Sequence, residues 1–185
     1  MEVLFLIIAN NVLAHVPDIN DFLEGISILL KDDGVVSIEF PHLAELIKCN
    51  QFDTIYHEHY SYLSLAIVER ISKHYGLKIL NVEKLKTHGG SLRVWLSHQE
   101  YGTSNKNVDE VLREERELKL ESIETYNGFQ KRAESSKNNL IKFLINCYEE
   151  NNTIMGYGAA AKGNTMLNYA GIKSDLLPFV ADNAP

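Results

Sequence analysis

The sequence predicts an α/β protein built from part of a parallel sheet with a terminal hairpin, a helical linker and the start of a second α/β unit. Two apolar runs, at residues 3–9 and 35–40, flank a segment of helical periodicity, which is a strand-helix-strand pattern. Residues 108–147 are rich in helix formers and charges. Near the end, a third apolar run enters a Gly-x-Gly-x-x-Ala turn followed by another helical segment. These observations define the fold class.

The composition is that of an ordinary globular protein. The chain has 185 residues, of which 45% are hydrophobic and 23% charged. Its net charge of -7 argues against nonspecific binding to nucleic acid, although a local site for an anionic small ligand stays possible. Cys49 and Cys147 stand alone without metal-ligand spacing, so we expect reduced thiols in a cytoplasmic protein and no structural metal site.

The first apolar run is predicted to be a buried parallel strand and not a signal peptide. It has no basic region before it, and Asn10 and Asn11 follow at once. A parallel strand needs neighbours, so its position at residue 3 indicates a fragment of a larger fold. The helix that follows has one apolar face and is expected to stop at Gly34, before the strand at 35–40. This βαβ connection should be right-handed. The apolar face comprises Ile19, Phe22, Leu23, Ile26, Leu29 and Leu30.

Polar residues fall where the two strands end. Asn10, Asn11, His15 and Glu39 lie at or just past the carboxyl ends of the predicted strands. Ligands bind at this edge of open parallel sheets. His15 either faces a ligand or bonds to backbone at a helix start, and its position favours the first alternative.

Residues 52–62 concentrate titratable side chains. They include two imidazoles, two carboxylates and three phenols in eleven residues, which neither a strand nor a helix pattern explains. Glu58 precedes His59, and a carboxylate beside an imidazole raises the basicity of the ring. The sequence therefore predicts a general base here. The alternative is a polar surface loop that happens to be rich in histidine.

A helix and a hairpin follow. Ser64 is a predicted N-cap and Gly76 the C-terminal stop of the helix. Strands are predicted at 77–82 and 91–97. Between them, the run Lys-Thr-His-Gly-Gly-Ser at 86–91 is a hairpin connection or, alternatively, a substrate-contacting loop.

The next segment is predicted to link two domains. Residues 101–107 form a polar boundary, and Ser122 and Gly128 should interrupt the helical pattern that follows. We interpret the result as two helices with a charged surface, including the solvated run at 113–117.

The glycine turn near the end has the geometry for holding a diphosphate at a helix N-terminus. Gly156 and Gly158 form the turn, and Asp182 lies 24 residues past Gly158, at the spacing of an acid that holds a ribose diol. Many sheets use such a turn without binding NAD. Lys162, in this turn, suits a ligand that carries phosphate.

Four motifs in this order resemble the sugar C-methyltransferases that act on nucleotide-linked deoxysugars. They are Asn-Val-Leu-Ala-His-Val-Pro at 11–17, Tyr-His-Glu-His-Tyr-Ser-Tyr at 56–62, Thr-His-Gly-Gly-Ser-Leu-Arg at 87–93 and Gly-Tyr-Gly-Ala-Ala-Ala-Lys-Gly-Asn at 156–164. The resemblance implies a zinc-binding N-terminal module, a class I methyltransferase domain that binds S-adenosylmethionine, and a C-terminal Rossmann-like domain that helps bind a dTDP-sugar.

The resemblance also assigns parts and roles. Residues 1–100 would be the C-terminal half of the methyltransferase domain, 101–150 the helical linker and 151–185 the start of the Rossmann-like domain. Most contacts to S-adenosylmethionine would lie outside this chain, so we expect the fragment alone to be inactive. His59 would be the base, with Tyr56, Glu58 and His15 as its companions, and Asn11 would lie on the cofactor side. Substrate contacts would come from His88, Gly89, Gly156, Gly158, Lys162, Asn164 and Asp182.

Two alternatives remain at this stage. An NAD-binding Rossmann oxidoreductase would explain the glycine turn and Asp182 but leaves the cluster around His59 without a role. A noncatalytic sugar-nucleotide-binding fragment would explain the binding motifs alone. In either case we expect a small-molecule partner and neither nucleic acid nor membrane; the sequence leaves open the sugar, the nucleotide and the oligomeric state. The methyltransferase hypothesis requires His15 and His59 to share one cavity, and we expect Asp182 beside the Gly158 turn in a separate, smaller sheet.

Overall fold

A four-stranded mixed sheet forms the centre of the fold. The computed structural model describes residues 3–183. The sheet has the order β1-β2-β4-β3, in which β1 and β2 are parallel and the other neighbouring pairs are antiparallel. Its strands are β1 (Leu4–Asn10), β2 (Leu30–Pro41), β3 (Leu77–Leu85) and β4 (Ser91–His98).

The predicted strand-helix-strand unit is confirmed, but the prediction that its first strand is buried is wrong, because Leu4, Phe5, Leu6 and Ile8 of β1 are between 47% and 62% exposed. Helix α1 (Ile19–Leu29) joins β1 to β2, and Asp18 caps it by accepting hydrogen bonds from the backbone of Asn20 and Asp21. The parallel register pairs Asn10 with Glu39, so both strands end at the same edge. That edge carries the polar residues singled out in the sequence.

The predicted helix stop at Gly34 is wrong. Strand β2 starts at Leu30, so Gly34 lies inside the strand, next to an irregularity in the pairing between Leu4 and Leu6. A Cβ at Gly34 would come within 2.8 Å of the Leu30 side chain and 3.0 Å of the Leu4 carbonyl oxygen. The glycine therefore permits the close approach of two strands and does not end a helix.

The apolar core lies against one face of the central strands, because its members alternate along β2 and β4 and pair with each other across the two strands. Strands β2 and β4 bury alternate apolar side chains completely, and β2 also buries the polar residues between them. Fully buried side chains of helix α3 (Leu65–His74) pack against this layer. The central members of this core are Val36, Ile38, Phe40, Leu65, Val68, Leu92, Val94 and Leu96.

The predicted cap and hairpin are also confirmed. The Ser64 side chain accepts a hydrogen bond from the Ile67 backbone at the start of α3, and Gly76, at φ 72°, follows its end. A short 3-10 turn, Thr87–Gly89, joins β3 to β4. After β2 comes α2 (Leu43–Lys48) and then a second 3-10 turn, Phe52–Thr54.

Two helices follow the hairpin, as predicted. They are α4 (Lys106–Glu117) and α5 (Phe129–Glu149), separated by irregular backbone that includes the 3-10 turn Ile123–Thr125. Helix α4 buries three apolar side chains in the core, so it packs on the sheet and does not stand clear of it. One member of the charged run at 113–117, Glu115, is only 3% exposed. The prediction of a fully solvated run is therefore wrong at that residue.

The last part of the chain forms a small α/β unit of two strands and one helix. Strands β5 (Gly156–Tyr157) and β6 (Val180–Ala181) pair in parallel, and α6 (Ala161–Ala170) follows β5 and ends at Gly171. The second strand is shorter than the predicted 177–181. Helix α6 packs on the Phe52–Thr54 turn, where the rings of Phe52 and Tyr169 lie 5.3 Å apart. In residues 3–183, no helix combines the length and apolar character needed to cross a membrane.

Candidate active site

A cavity of about 90 Å³ opens at the carboxyl ends of the parallel strands. Asn11 follows β1 and Pro41 ends β2, while other lining residues come from the 52–62 stretch, the hairpin turn and α6. Six residues of the predicted site are thereby brought together although they span most of the chain. The cavity is lined by Asn11, His15, Pro41, Thr54, Tyr56, His59, His88 and Lys162.

The cavity contains a cluster of three rings. The centroids of the His15 and His59 rings are 4.8 Å apart, and the Tyr56 ring lies 4.5 Å from that of His59. The prediction that His15 and His59 share one cavity is confirmed. Two imidazoles and a phenol next to a cavity can accept and donate protons at a bound molecule.

Both imidazoles are oriented by backbone carbonyls. His59 Nδ1 lies 2.8 Å from the Thr54 carbonyl oxygen, and His15 Nδ1 lies 2.9 Å from the carbonyl oxygen of Glu58. A carbonyl oxygen only accepts, so each Nδ1 carries the hydrogen and donates it. In the neutral ring this leaves the lone pair on Nε2. Each ring thus has one nitrogen held by the protein and one available to a ligand.

The predicted pairing of Glu58 with His59 is wrong. The Glu58 side chain is exposed, and the nitrogen of His59 that needs an acceptor is bonded to the Thr54 carbonyl instead. Consecutive side chains leave the backbone in different directions, so adjacency in sequence did not bring the carboxylate to the ring. Glu58 contributes to the site through its backbone, whose carbonyl holds His15.

Tyr56 is held in its protonated form. Burial, followed by the negative charges of Glu58 and Asp53, raises the pKa of the Tyr56 phenol above its ordinary value of 10.0. The hydroxyl therefore stays a hydrogen-bond donor throughout the neutral range. A phenol in this state can stabilise negative charge on an oxygen in the cavity.

Two buried oxygens that line the cavity have no hydrogen-bond partner in the protein. They are Asn11 Oδ1 and Thr54 Oγ1. Asn11 has φ 54°, and its N–H donates to the Glu39 carbonyl at 2.8 Å, so its backbone is fixed while its side-chain oxygen is unpaired. Buried polar atoms are normally satisfied, which makes these two oxygens candidate ligand contacts. Sequence reasoning missed Thr54, whose only signal was its place in the titratable stretch.

The hairpin turn that carries His88 is tied to the sheet. His88 has φ 53°, and Gly89 and Gly90 also have positive φ. Thr87 Oγ1 donates to the Glu39 carboxylate at 2.9 Å, and Arg93 donates to the other oxygen of that carboxylate at 2.8 Å. Glu39 is therefore committed to anchoring the turn.

Lys162 is the contribution of the C-terminal region to the cavity. It lies on α6, and its Nζ is 3.5 Å from the carbonyl oxygen of His88. Since α6 also packs on the Phe52–Thr54 turn, the lysine is placed beside the ring cluster by contacts on two sides. It brings a positive charge to the mouth of the cavity.

The remaining predicted substrate residues form a separate group. Gly158 N–H donates to the Ala181 carbonyl at 2.7 Å, and the Ala159 N–H donates to the Asp182 carboxylate. The prediction that Asp182 lies beside the Gly158 turn, in its own small sheet, is confirmed. Asn164 Nδ2 donates to the Ala159 carbonyl at 2.8 Å, which braces the turn. Gly156, Gly158, Asn164 and Asp182, like Gly89, are not part of the cavity wall.

Residues 3–183 contain no group of three or more His, Cys, Asp or Glu side chains that could hold a metal ion. Both cysteines are free thiols.

The sheet, with a cavity at the carboxyl ends of its parallel strands, is an α/β fold with a ligand site at its usual edge, and comparison with known families identifies the class as a methyltransferase. A family model described as a methyltransferase domain matches residues 5–82. A second, described as the C-methyltransferase C-terminal domain, matches residues 86–185, more than half of the chain. The chain belongs to this C-methyltransferase family.

A curated relative agrees with that assignment. The chain is 35% identical over 170 residues to the C-methyltransferase NovU of Streptomyces niveus, which covers 91% of this chain. It spans 40% of the length of that relative.

Solved structures show partial likeness. Magnesium protoporphyrin IX methyltransferase from Synechocystis PCC 6803 matches with 13% identity and a TM-score of 0.42, covering 54% of this chain and 47% of its own. The N-methyltransferase NodS from Bradyrhizobium japonicum WM9 matches with 13% identity and a TM-score of 0.40, covering 53% of this chain and 52% of its own.

Proposed function

We propose that this chain is part of an S-adenosylmethionine-dependent C-methyltransferase that acts on a nucleotide-linked keto-deoxysugar. The observation that carries the proposal is the ring cluster, in which His59 and His15 each have Nδ1 bonded to a carbonyl and Nε2 available beside Tyr56. Methylation at carbon needs a carbanion equivalent, and this cluster has the groups to make one next to a ketone. Membership of the C-methyltransferase family supports the same reaction.

His59 acts as the general base in this proposal. A carbon next to a ketone is a weak acid, so its proton is removed only by a positioned base, with stabilisation of the enolate that forms. Nε2 of the neutral ring holds the lone pair that takes the proton. The Thr54 carbonyl, bonded to Nδ1–H, then favours the positive charge that the ring gains.

Tyr56 is the candidate for holding the enolate oxygen. Its raised pKa keeps the phenol protonated, so it can donate a hydrogen bond to developing negative charge. His15 can help only as a cation, because its Nδ1–H is already bonded to the Glu58 carbonyl and Nε2 has no hydrogen in the neutral ring. The proposal therefore gives Tyr56 the main role and His15 a charge-dependent one.

The residues present fit one side of a cofactor site. Asn11 Oδ1 and Thr54 Oγ1 are unpartnered acceptors at the cavity, and Asn11 lies directly after β1, where ligands of open sheets bind. S-adenosylmethionine, when bound, supplies the electrophilic methyl group. What this chain adds is alignment and exclusion of water around the reacting carbon.

The cavity of about 90 Å³ holds only the reacting end of the sugar, since pockets for whole ligands of this size are several times larger. The proposal places the rest of the nucleotide sugar along Lys162 and the turn at residues 156–164. His88 and Gly89 would contact the sugar from the hairpin turn. Gly156, Gly158, Asn164 and Asp182 would lie on the nucleotide side, and the division into domains at 1–100, 101–150 and 151–185 belongs to the same proposal.

The test separates proton removal from methyl transfer. The intact protein is incubated with a dTDP-linked keto-deoxysugar in deuterated buffer without S-adenosylmethionine, and deuterium at the carbon beside the ketone is followed by NMR. We expect exchange in the wild type and none in His59→Gln. Adding S-adenosylmethionine should then give a product with one more methyl group by mass spectrometry.

The same experiment decides between the proposal and its rivals. Exchange and methylation that survive in His59→Gln would contradict the role of the ring and favour a binding role for this stretch. Reduction of NAD by the sugar, with no methylated product, would favour an oxidoreductase instead.

A further inference from the structure

A second imidazole and carboxylate meet in the interior, outside the cavity. His42 Nε2 lies 2.7 Å from Glu115 Oε1, and each residue is 3% exposed. They are 73 residues apart in sequence. None of the proposed chemical steps uses either group. Burying two such polar groups is costly unless both are fully bonded, so their presence calls for a reason.

Glu115 is bonded on both oxygens. Oε1 also accepts the N–H of Leu65 at 2.6 Å, and Oε2 accepts the N–H of Ala66 at 2.9 Å. These are the first N–H groups of α3, where a negative charge is favourable. Since a carboxylate only accepts, Nε2 of His42 carries the hydrogen in this bond. One carboxylate from α4 thus ties the start of α3 to the residue that follows β2.

The backbone of His42 reaches the two site segments. Its N–H donates to the Gly90 carbonyl at 3.0 Å, at the end of the turn that carries His88. His42 also pairs with Leu63, and the Leu43 N–H donates to the Leu63 carbonyl at 2.9 Å, just after the stretch that carries His59. One residue is therefore a junction between the hairpin turn, the His59 segment and the sheet.

We propose that His42 and Glu115 are positioning residues, which hold the His59 segment and the His88 turn in register at the cavity. The segment at residues 43–64 begins after His42, which follows β2, and ends before Leu65, the first residue of α3, and Glu115 bonds both His42 and Leu65. Loosening this junction would displace the rings at the cavity, and a displacement near 1 Å can lower a catalysed rate about 100-fold. As a statement about catalysis, the inference rests on the proposed function.

The test compares two neighbouring carboxylates of one helix. Glu115→Gln removes the charge from the junction, while Glu114→Gln makes the same change at a side chain that is 38% exposed and paired with Lys84. Two readouts are taken on the intact protein. The first is the nitrogen-15 NMR spectrum of the histidine rings of His15 and His59, which needs no substrate. The second is deuterium exchange at the sugar carbon, resolved into kcat and KM.

In Glu115→Gln we expect shifted ring signals of both cavity histidines and a kcat for exchange lowered at least tenfold, with KM changed less than threefold. Glu114→Gln should match the wild type in both readouts. A merely structural role would lower the unfolding midpoint without moving either readout in the folded protein. A folded Glu115→Gln with wild-type ring signals and wild-type kcat would overturn the proposal.

Two variants at His42 keep the test decisive if Glu115→Gln does not fold. His42→Gln can still donate to the Glu115 carboxylate and should retain most of the exchange rate, whereas His42→Leu cannot and should lose it. Equal rates in these two variants would overturn the proposal. Because the ring signals do not depend on substrate, they test the junction even if the wild type shows no exchange. An absence of exchange in the wild type would count against the proposed function alone.

Discussion

The cavity and the buried junction formed by His42 and Glu115 each contain an imidazole, and the two imidazoles have different kinds of hydrogen-bond partner. In the cavity, His59 donates from Nδ1 to a backbone carbonyl at 2.8 Å and is only partly buried. At the junction, His42 bonds through Nε2 to the Glu115 carboxylate at 2.7 Å and is 3% exposed. The buried ring of His42 therefore has a charged hydrogen-bond partner, the Glu115 carboxylate. The ring of His59, which faces the cavity, has a neutral partner, the Thr54 carbonyl.

This difference has a physical reason. A carboxylate that also holds two helix N–H groups cannot move without leaving buried groups unpaired, so it suits a fixed junction. A carbonyl fixes the tautomer of His59 and still leaves Nε2 open, so the ring can gain and lose a proton in place. Each of the following predictions changes one partner in one of the two regions.

The largest effect is expected at the cavity ring. His59→Gln should lower the methylation rate about 1,000-fold, which corresponds to about 4 kcal/mol of lost transition-state stabilisation, because the glutamine amide has no basic nitrogen to take the proton. The measurement is kcat with S-adenosylmethionine and a keto-deoxysugar nucleotide. Thermal unfolding of the variant serves as the control and should be close to wild type. A loss below tenfold would contradict the assignment of His59 as the base.

The next effect is on stability, at the junction. Glu115→Ala should lower the free energy of unfolding by about 3 kcal/mol, because it leaves His42 and two N–H groups at the start of α3 without their acceptor. Urea unfolding of the intact protein measures it. The matched change Glu114→Ala should cost less than about 1 kcal/mol, since that residue makes a surface ion pair with Lys84. Equal losses in both variants would contradict the junction.

A smaller effect is expected for Tyr56→Phe, which should lower kcat about tenfold by removing one donor to the enolate. The raised pKa of Tyr56 gives a second measurement. The folded phenol keeps its proton after the unfolded one has lost it, so this contribution to stability is complete below pH 10.0 and is lost as the pH rises through the folded pKa. An alkaline titration of tyrosinate absorbance should show one fewer late-titrating phenol in the variant. Loss of a phenol that titrates at its ordinary value, with the late-titrating ones unchanged, would contradict the raised pKa.

Elements whose signals are local could be predicted from the sequence. The cap at Ser64 and the glycine at 76 bounded α3, and the alternation after Gly90 gave β4. The edge at which the site lies also followed, because parallel strands place their carboxyl ends together. Gly34 was misinterpreted because a glycine that ends a helix and one that permits close strand contact look the same in sequence.

Partners of the titratable groups could not be predicted in the same way. The pairing of Glu115 with His42 crosses 73 residues and depends on how α4 packs. Its one signal was the position of Glu115 at helical spacing after Val111 and Leu112, which placed a carboxylate on the apolar face. For His59 the sequence offered a neighbouring carboxylate, while the actual partner was a carbonyl five residues earlier.

The smallest effect on kcat is expected at Glu58, the residue whose carboxylate the sequence alone indicated as the partner of the catalytic base. Glu58→Gln should change kcat less than threefold, because the carboxylate is exposed and His59 takes its hydrogen-bond acceptor from Thr54. The backbone carbonyl that orients His15 is kept in this variant. Asp53→Asn is the matched control, since Asp53 also adds negative charge near Tyr56. In both variants burial, the main cause of the raised Tyr56 pKa, persists, so the phenol stays a donor at neutral pH. A 100-fold loss in Glu58→Gln alone would mean that the carboxylate reaches the His59 ring during the reaction, and the contrast between the two imidazoles would then hold only for the unliganded protein.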